Sequence, residues 1–118
     1  RQSGFDVTKD LIANGIESVG ILAYNDIVAS GILAALRDSE YKIGSEISVV
    51  SIDDIESSKF ESPPLTTVNV GAFELGQKAA ESLLELVEGG KKVRKTVFLD
   101  NKLIIRESCG CTREKKVS

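Results

Sequence analysis

Apolar and polar residues follow one another along the chain in blocks whose period switches between helix-like and strand-like. Val7, Leu11 and Ile12 fall at helical spacing between Asp6 and Asn14, and Gly15 follows as a stop, so this stretch reads as an amphipathic helix. Ser18-Val-Gly-Ile-Leu-Ala-Tyr24 is nearly continuous apolar, the pattern of a strand buried on both faces of a parallel sheet. Asn25-Asp26 supplies helix-capping side chains. Ile27 to Arg37 then runs at helical spacing with apolar residues nearly all round, which predicts a buried or interface-forming helix. Ile47-Ser-Val-Val-Ser-Ile52 is a second buried strand, rich in β-branched residues. After Asp53-Asp54 the chain is polar through Ser62. Pro63-Pro64 forbids helix and fixes an extended entry to a third strand, Leu65 to Val70. The clearest helix spans Phe73 to Glu88, where Leu75, Ala79, Ala80, Leu83, Leu84 and Val87 recur at spacings of three and four before Gly89-Gly90. Val93 to Leu99 and Leu103 to Arg106 read as strands joined by a turn at Asp100-Asn101-Lys102. The charged end, Thr112 to Ser118, reads as a disordered tail.

Strands alternating with helices predict an α/β domain on a mainly parallel sheet flanked by helices. Composition narrows what such a domain does. Net charge is −3, so this chain carries no basic footprint for nucleic acid, and any DNA contact would come from another segment. No apolar run approaches the ~18–20 residues of a membrane helix. Arg1 to Phe5 lacks the apolar stretch of a signal peptide. The missing initiator Met points to further sequence upstream. The chain has no His, which removes His-based triads and the commonest metal ligand. No phosphate-binding glycine loop or nucleophile elbow is present. The expectation is no enzyme, no catalytic residue, no metal and no cofactor. Cys109-Gly-Cys111 offers two ligands where a closed zinc site wants four, and a disulfide between residues two apart is strained, so both read as inert reduced thiols.

In open α/β sheets, ligands bind beyond the carboxyl ends of the strands. Tyr24-Asn25-Asp26 ends the first strand and Asp53-Asp54 ends the second, so adjacent parallel strands would bring Asn25 and Asp53 to one rim. An amide that donates and accepts, beside an acceptor-only carboxylate, suits a polyol, sugar or nucleoside. The competing readings are structural. Asn25 and Asp26 are also good helix caps, and Asp53-Asp54 also suits a turn or a short helix start.

Five segments together resemble the lactose/galactose-repressor family. They are Tyr24-Asn-Asp-Ile-Val-Ala-Ser-Gly-Ile-Leu-Ala-Ala-Leu-Arg37, Ile47-Ser-Val-Val-Ser-Ile-Asp-Asp54, Ser62-Pro-Pro-Leu-Thr-Thr-Val68, Glu74-Leu-Gly76 and Ile105-Arg-Glu-Ser-Cys109. The resemblance implies a type I periplasmic-binding-protein fold, in which two α/β lobes close on a sugar or purine-like effector. It implies a helix-turn-helix head, absent here, that binds operator DNA. Residues 1–111 would be a partial effector-binding domain, with 73–89 a crossover helix belonging with the other lobe. Asn25 and Asp53 match effector-binding positions, Phe73 matches a pocket wall, and Tyr24 and Asp26 are secondary candidates. Val70 departs from the family, which often has a polar Gln there. The resemblance also implies a homodimer, formed by the helix from Ile27 and the loop from Ser57, through Ile27, Ser30, Gly31, Ala34, Ser58 and Phe60. The chain would cross between lobes near Val70 and return near Asp100, leaving the leucine stripe of the crossover helix to seek another partner. Two other functions fit the same residues: a sensor module feeding a kinase or cyclase, and a periplasmic sugar-binding protein.

Overall fold

The computed structural model of the chain describes residues 1–17, 19–89 and 96–111. The elements in order are α1 (Gln2–Ala13), β1 (Val19–Leu22), α2 (Asp26–Arg37), β2 (Ile47–Ile52), a 3-10 turn (Glu56–Phe60), β3 (Thr66–Asn69), α3 (Ala72–Gly89) and β4 (Lys102–Ile104). The strands form one sheet in the order β1-β2-β3-β4. β1, β2 and β3 are parallel, with Leu22 opposite Val50 and Ile52 opposite Val68, and β4 is antiparallel to β3. This is the α/β class, with a mainly parallel sheet, that the alternating periods predict. No helix among the described residues is long and apolar enough to cross a membrane.

α2 is apolar all round because it lies between α1 and the sheet. Its buried residues include Ala29, Ile32, Leu33 and Leu36, which pack on Ala23, Ile47, Val49 and Leu65. Full burial of each large aliphatic side chain there is worth about 1.5–3 kcal/mol. The two helices meet backbone to backbone. A Cβ on Gly31 would stand 2.0 Å from the Arg1 carbonyl oxygen, and one on Gly4 would stand 2.3 Å from that of Val28. That contact carries α1 back to Gln2, earlier than the Asp6 start that the apolar spacing indicates.

β1 departs from the expectation of a strand buried on both faces. Ile21 and Ala23 face the core, but Leu22 is 71% exposed. β2 alternates in the same way, with Ile47, Val49 and Ser51 buried and Ile52 exposed. The reason is that α1 and α2 cover one face, and α3 does not fold onto the other. α3 has no buried residue, and its stripe of Leu75, Leu83, Leu84 and Val87 stands in the open. The chain leaves the sheet after Asn69 and re-enters at Lys102, and these two residues face each other across β3 and β4. The strand expected over 93–99 is absent at 96–99, while 93–95 and the tail at 112–118 lie outside the described residues.

Two buried polar side chains join these elements. Ser108 closes the entry of the sheet: its hydroxyl donates to the Val49 carbonyl (2.7 Å) and accepts from the Thr66 N–H (2.8 Å). Its own carbonyl accepts from the Val49 N–H at 2.8 Å. At the other end, the Asp26 carboxylate is 1% exposed. Its Oδ1 accepts from the hydroxyls of Ser51 and Thr67, the latter at 2.6 Å. Its Oδ2 accepts from the Ser58 hydroxyl (2.5 Å) and the Ile55 N–H (3.0 Å). One side chain thereby ties α2, β2, β3 and the 3-10 turn together.

Burial opposes ionisation of Asp26, but the three hydroxyls and the amide outweigh it and hold the carboxyl below its ordinary value. A depressed carboxyl adds stability that is fully present above the unfolded-state value of about pH 4 and is lost as pH falls through the folded-state value. Asp26→Asn places an NH2 group against donors, and is expected to cost about 1–3 kcal/mol at neutral pH. Urea unfolding of both proteins at about pH 7 and about pH 3 checks this. The gap between them should narrow in acid; a gap that persists unchanged contradicts the role of the ionised carboxylate.

Candidate functional site

The carboxyl ends of β1, β2 and β3 form one rim. The Ala23 N–H donates to the Val50 carbonyl (2.8 Å) and the Asp53 N–H to that of Val68 (2.9 Å), so the strands hold register to where the polar residues begin. Tyr24, Asn25, Asp53 and, past β3, Phe73 therefore emerge at the same end of the sheet. Tyr24 and Phe73 are 85% and 87% exposed, so neither ring is spent on the core. Phe73 lies on the first turn of α3, which begins where Gly71 takes a positive φ and its N–H caps onto the Asn69 side chain at 2.9 Å.

Asn25 combines the capping and binding readings. Its Oδ1 accepts from the Val28 N–H at 2.9 Å and caps α2. Its NH2 group makes no hydrogen bond among the described residues. Every buried side-chain nitrogen or oxygen among those residues has a partner, so this NH2 is open to solvent as a donor. The cap is Asn25 alone; Asp26 takes no part in it. The structure also removes Asp26 from the rim, because a carboxylate that is 1% exposed and holds four donors has no surface to offer a ligand.

The turn after β2 is strained and over-determined. Asp53 has φ 123° and Asp54 φ 51°, conformations that cost an L-residue about 1–3 kcal/mol and persist only when their surroundings enforce them. The enforcement here is visible. The Asp54 N–H donates to the Thr67 hydroxyl (3.3 Å), and the next N–H, that of Ile55, donates to Asp26. The Asp54 carboxylate accepts from Arg106 Nη2 (2.7 Å) and Asn69 Nδ2 (2.8 Å), while Arg106 Nη1 donates to the Leu65 carbonyl at 2.7 Å. With Asp54 drawn inward, Asp53 is left exposed at the rim, on the strand next to the one that carries Asn25. An open acceptor and an open amide donor on adjacent strand ends suit a polyhydroxylated ligand.

Sequence reasoning did not find Arg106, Asn69 or the hydroxyl cluster around Asp26. A signal for that cluster existed: Ser51 and Thr67 are polar residues inside buried strands, and buried hydroxyls require partners. The proposed docking face is also changed. Ile27 (53%) and Phe60 (75%) are exposed, and Ser30 and Ala34 are half-buried. Gly31 lies beneath α1, and Ser58 is buried with its hydroxyl on Asp26, so neither reaches an outer surface. Glu61 unites the remaining face, accepting from the Ser30 hydroxyl (2.5 Å) and from Arg37 (3.3 Å). A separate trough of about 310 Å³ runs between α1 and β1, walled by Val7, Leu11, Ile21 and Leu22 and reached by Tyr24 alone of the rim residues.

A parallel sheet carrying a polar rim at its carboxyl end is the architecture of a small-molecule-binding α/β lobe. Residues 3–109 match the family of periplasmic binding protein-like domains. The chain belongs to that family, and the relatives it matches include repressors of the lactose/galactose-repressor group that its motifs resemble. The transcriptional repressor PurR of Mannheimia succiniciproducens is 30% identical over 107 residues, covering 91% of this chain and 32% of the relative. The lac repressor dimer bound to operator and the anti-inducer ONPF superposes with a TM-score of 0.83 at 35% identity, covering 92% of this chain and 32% of that one. A LacI-family regulator from Enterococcus faecium with bound ribose superposes at 0.81 with 29% identity, covering 91% of this chain and 39% of that one. The chain thus spans about a third of the length of these relatives.

Strain at Asp53 yields a paired prediction. Asp53→Gly relieves the positive φ, whereas Asp53→Ala removes the same carboxylate and keeps the strain. The glycine variant is expected to be more stable than the alanine variant by about 1 kcal/mol. Denaturant midpoints of the two check this, and equal midpoints would mean that the turn stores no strain.

Proposed function

We propose that this chain is the effector-binding and dimerisation portion of a cytoplasmic DNA-binding transcriptional regulator, and that its rim holds a sugar or related small molecule which modulates operator binding. One observation carries the reading: an exposed carboxylate at Asp53 and an open amide donor at Asn25 stand at one strand-end rim, in a chain whose solved neighbours include transcriptional regulators holding ONPF or ribose. Phe73 would wall the pocket and Tyr24 would add an aromatic edge. Operator DNA would be met by a separate head, because the chain itself is acidic.

The turn gives the effector a lever. Asp53 is covalently joined to Asp54, and Asp54 holds Asn69, from which one segment leaves the sheet, and Arg106, in the segment that follows β4. A ligand that draws on Asp53 biases the direction of both segments, and couplings of this kind are worth about 1–3 kcal/mol.

Calorimetric titration of the full-length protein against sugars, sugar phosphates and nucleosides tests the pocket. Saturable binding that weakens by about tenfold to a hundredfold in Asp53→Ala is the expected result, the usual penalty for losing one buried polar contact. Undiminished binding would place the effector elsewhere. The docking face has its own test. Ile27→Asp together with Phe60→Asp should turn a dimer into a monomer in sedimentation equilibrium, and a dimer that survives both changes does not use this face.

A further inference from the structure

Cys109 and Cys111 lie at the end of the sheet opposite the rim, where the Ser48 hydroxyl donates to the Cys109 carbonyl at 3.0 Å. Both thiols are free; Cys109 is half-buried and Cys111 exposed. Spacing alone makes them inert, since a disulfide across one residue is strained. That same strain has a second meaning: strained, exposed disulfides are the easily reduced ones that cycle, whereas unstrained structural ones do not.

The structure shows that the pair is preformed. Gly110 takes φ +70°, and its N–H donates to the Glu107 carbonyl at 3.0 Å. The turn is pressed against the loop before β2 so closely that a Cβ on Gly110 would stand 1.6 Å from the Gly44 carbonyl oxygen. Cys111 is thereby folded back over Cys109. Its N–H points at Cys109 Sγ (3.3 Å), and its own Sγ approaches the Cys109 carbonyl (4.0 Å). Burial pushes the Cys109 thiol up, but the Thr66 hydroxyl, the Cys111 thiol and nearby N–H groups outweigh it and favour the thiolate. Cys111 shifts the other way, because its proton bridges to Cys109 and the Cys109 charge opposes a second one. Cys109 Sγ also donates to the Arg106 carbonyl at 3.7 Å; of the two thiols on this turn, Cys109 is the one that gives up its proton more readily, which suits it to attack and Cys111 to resolve.

We propose that Cys109-Gly110-Cys111 is a dithiol–disulfide exchange site whose co-reactant is a low-molecular-weight disulfide. The Cys109 thiolate attacks one sulfur of that disulfide, forms a mixed disulfide and releases the other half as a thiolate. Cys111, giving up its proton, then attacks Cys109 Sγ and displaces the second half. Two protein thiols lose two electrons and two protons, and the small disulfide is reduced to two thiols.

The test equilibrates the intact protein in mixtures of reduced and oxidised glutathione, quenches with acid, alkylates, and weighs the peptide that contains both cysteines. The ratio of closed disulfide to dithiol should change tenfold for each tenfold change in oxidised glutathione over the square of reduced glutathione. Cys111→Ser, lacking the resolving thiol, should hold glutathione on Cys109 at a level at least tenfold above that of the unaltered protein. The proposal fails if both thiols stay open to alkylation in the most oxidising mixture. It also fails if the unaltered protein accumulates the mixed disulfide as fully as Cys111→Ser, or if the only disulfide formed links two chains.

Discussion

A carboxylate buried at the amino end of α2 organises this lobe. Burying an unpaired charge is prohibitive, so the sequence must bring donors to Asp26 from wherever the chain can supply them. It brings Ser51 from β2, Thr67 from β3, and Ser58 with the Ile55 amide from the segment between those strands. The helix dipole adds a further favourable term, since the charge sits in the first turn. Apolar packing would bring α2 onto the sheet in several registers. Four directed hydrogen bonds accept only one, and that one fixes the loop bearing the rim.

Neighbouring residues divide the labour in the same way at both strand ends. In Asn25-Asp26 and in Asp53-Asp54, one member turns inward to hold the structure and the other faces the rim. The inward members are satisfied by groups of the protein. The outward members keep hydrogen-bonding capacity that only solvent or a ligand can fill. Strain accompanies the second pair, where both residues are held at positive φ by the hydrogen bonds of the turn.

Much of the fold was legible along the chain. The helical stripes around α1 and α3, the β-branched run of β2 and the proline pair before β3 each announced their element. Position at the strand ends, together with the family resemblance, pointed to Asn25 and Asp53. What could not be read was direction. The sequence does not say which of two adjacent acids turns inward, and Asp26 was misplaced for that reason. Nor does an apolar run say whether both faces of a strand are covered, since that depends on where α3 goes. Arg106 was invisible because its partner, Asp54, lies far away in sequence and meets it only across the sheet.

The pairing of Asn69 with Lys102 makes residues 70–101 a closed excursion whose two ends are held together by the sheet itself. Closing a loop costs entropy that grows only with the logarithm of its length. Here that closure is already enforced from within the lobe. Whatever the excursion contains can be lengthened, shortened or exchanged with little effect on the stability of the four strands beneath it. The lobe is in this sense a socket: evolution is free to rewrite what is plugged in at Asn69 and Lys102, provided that the two ends still meet.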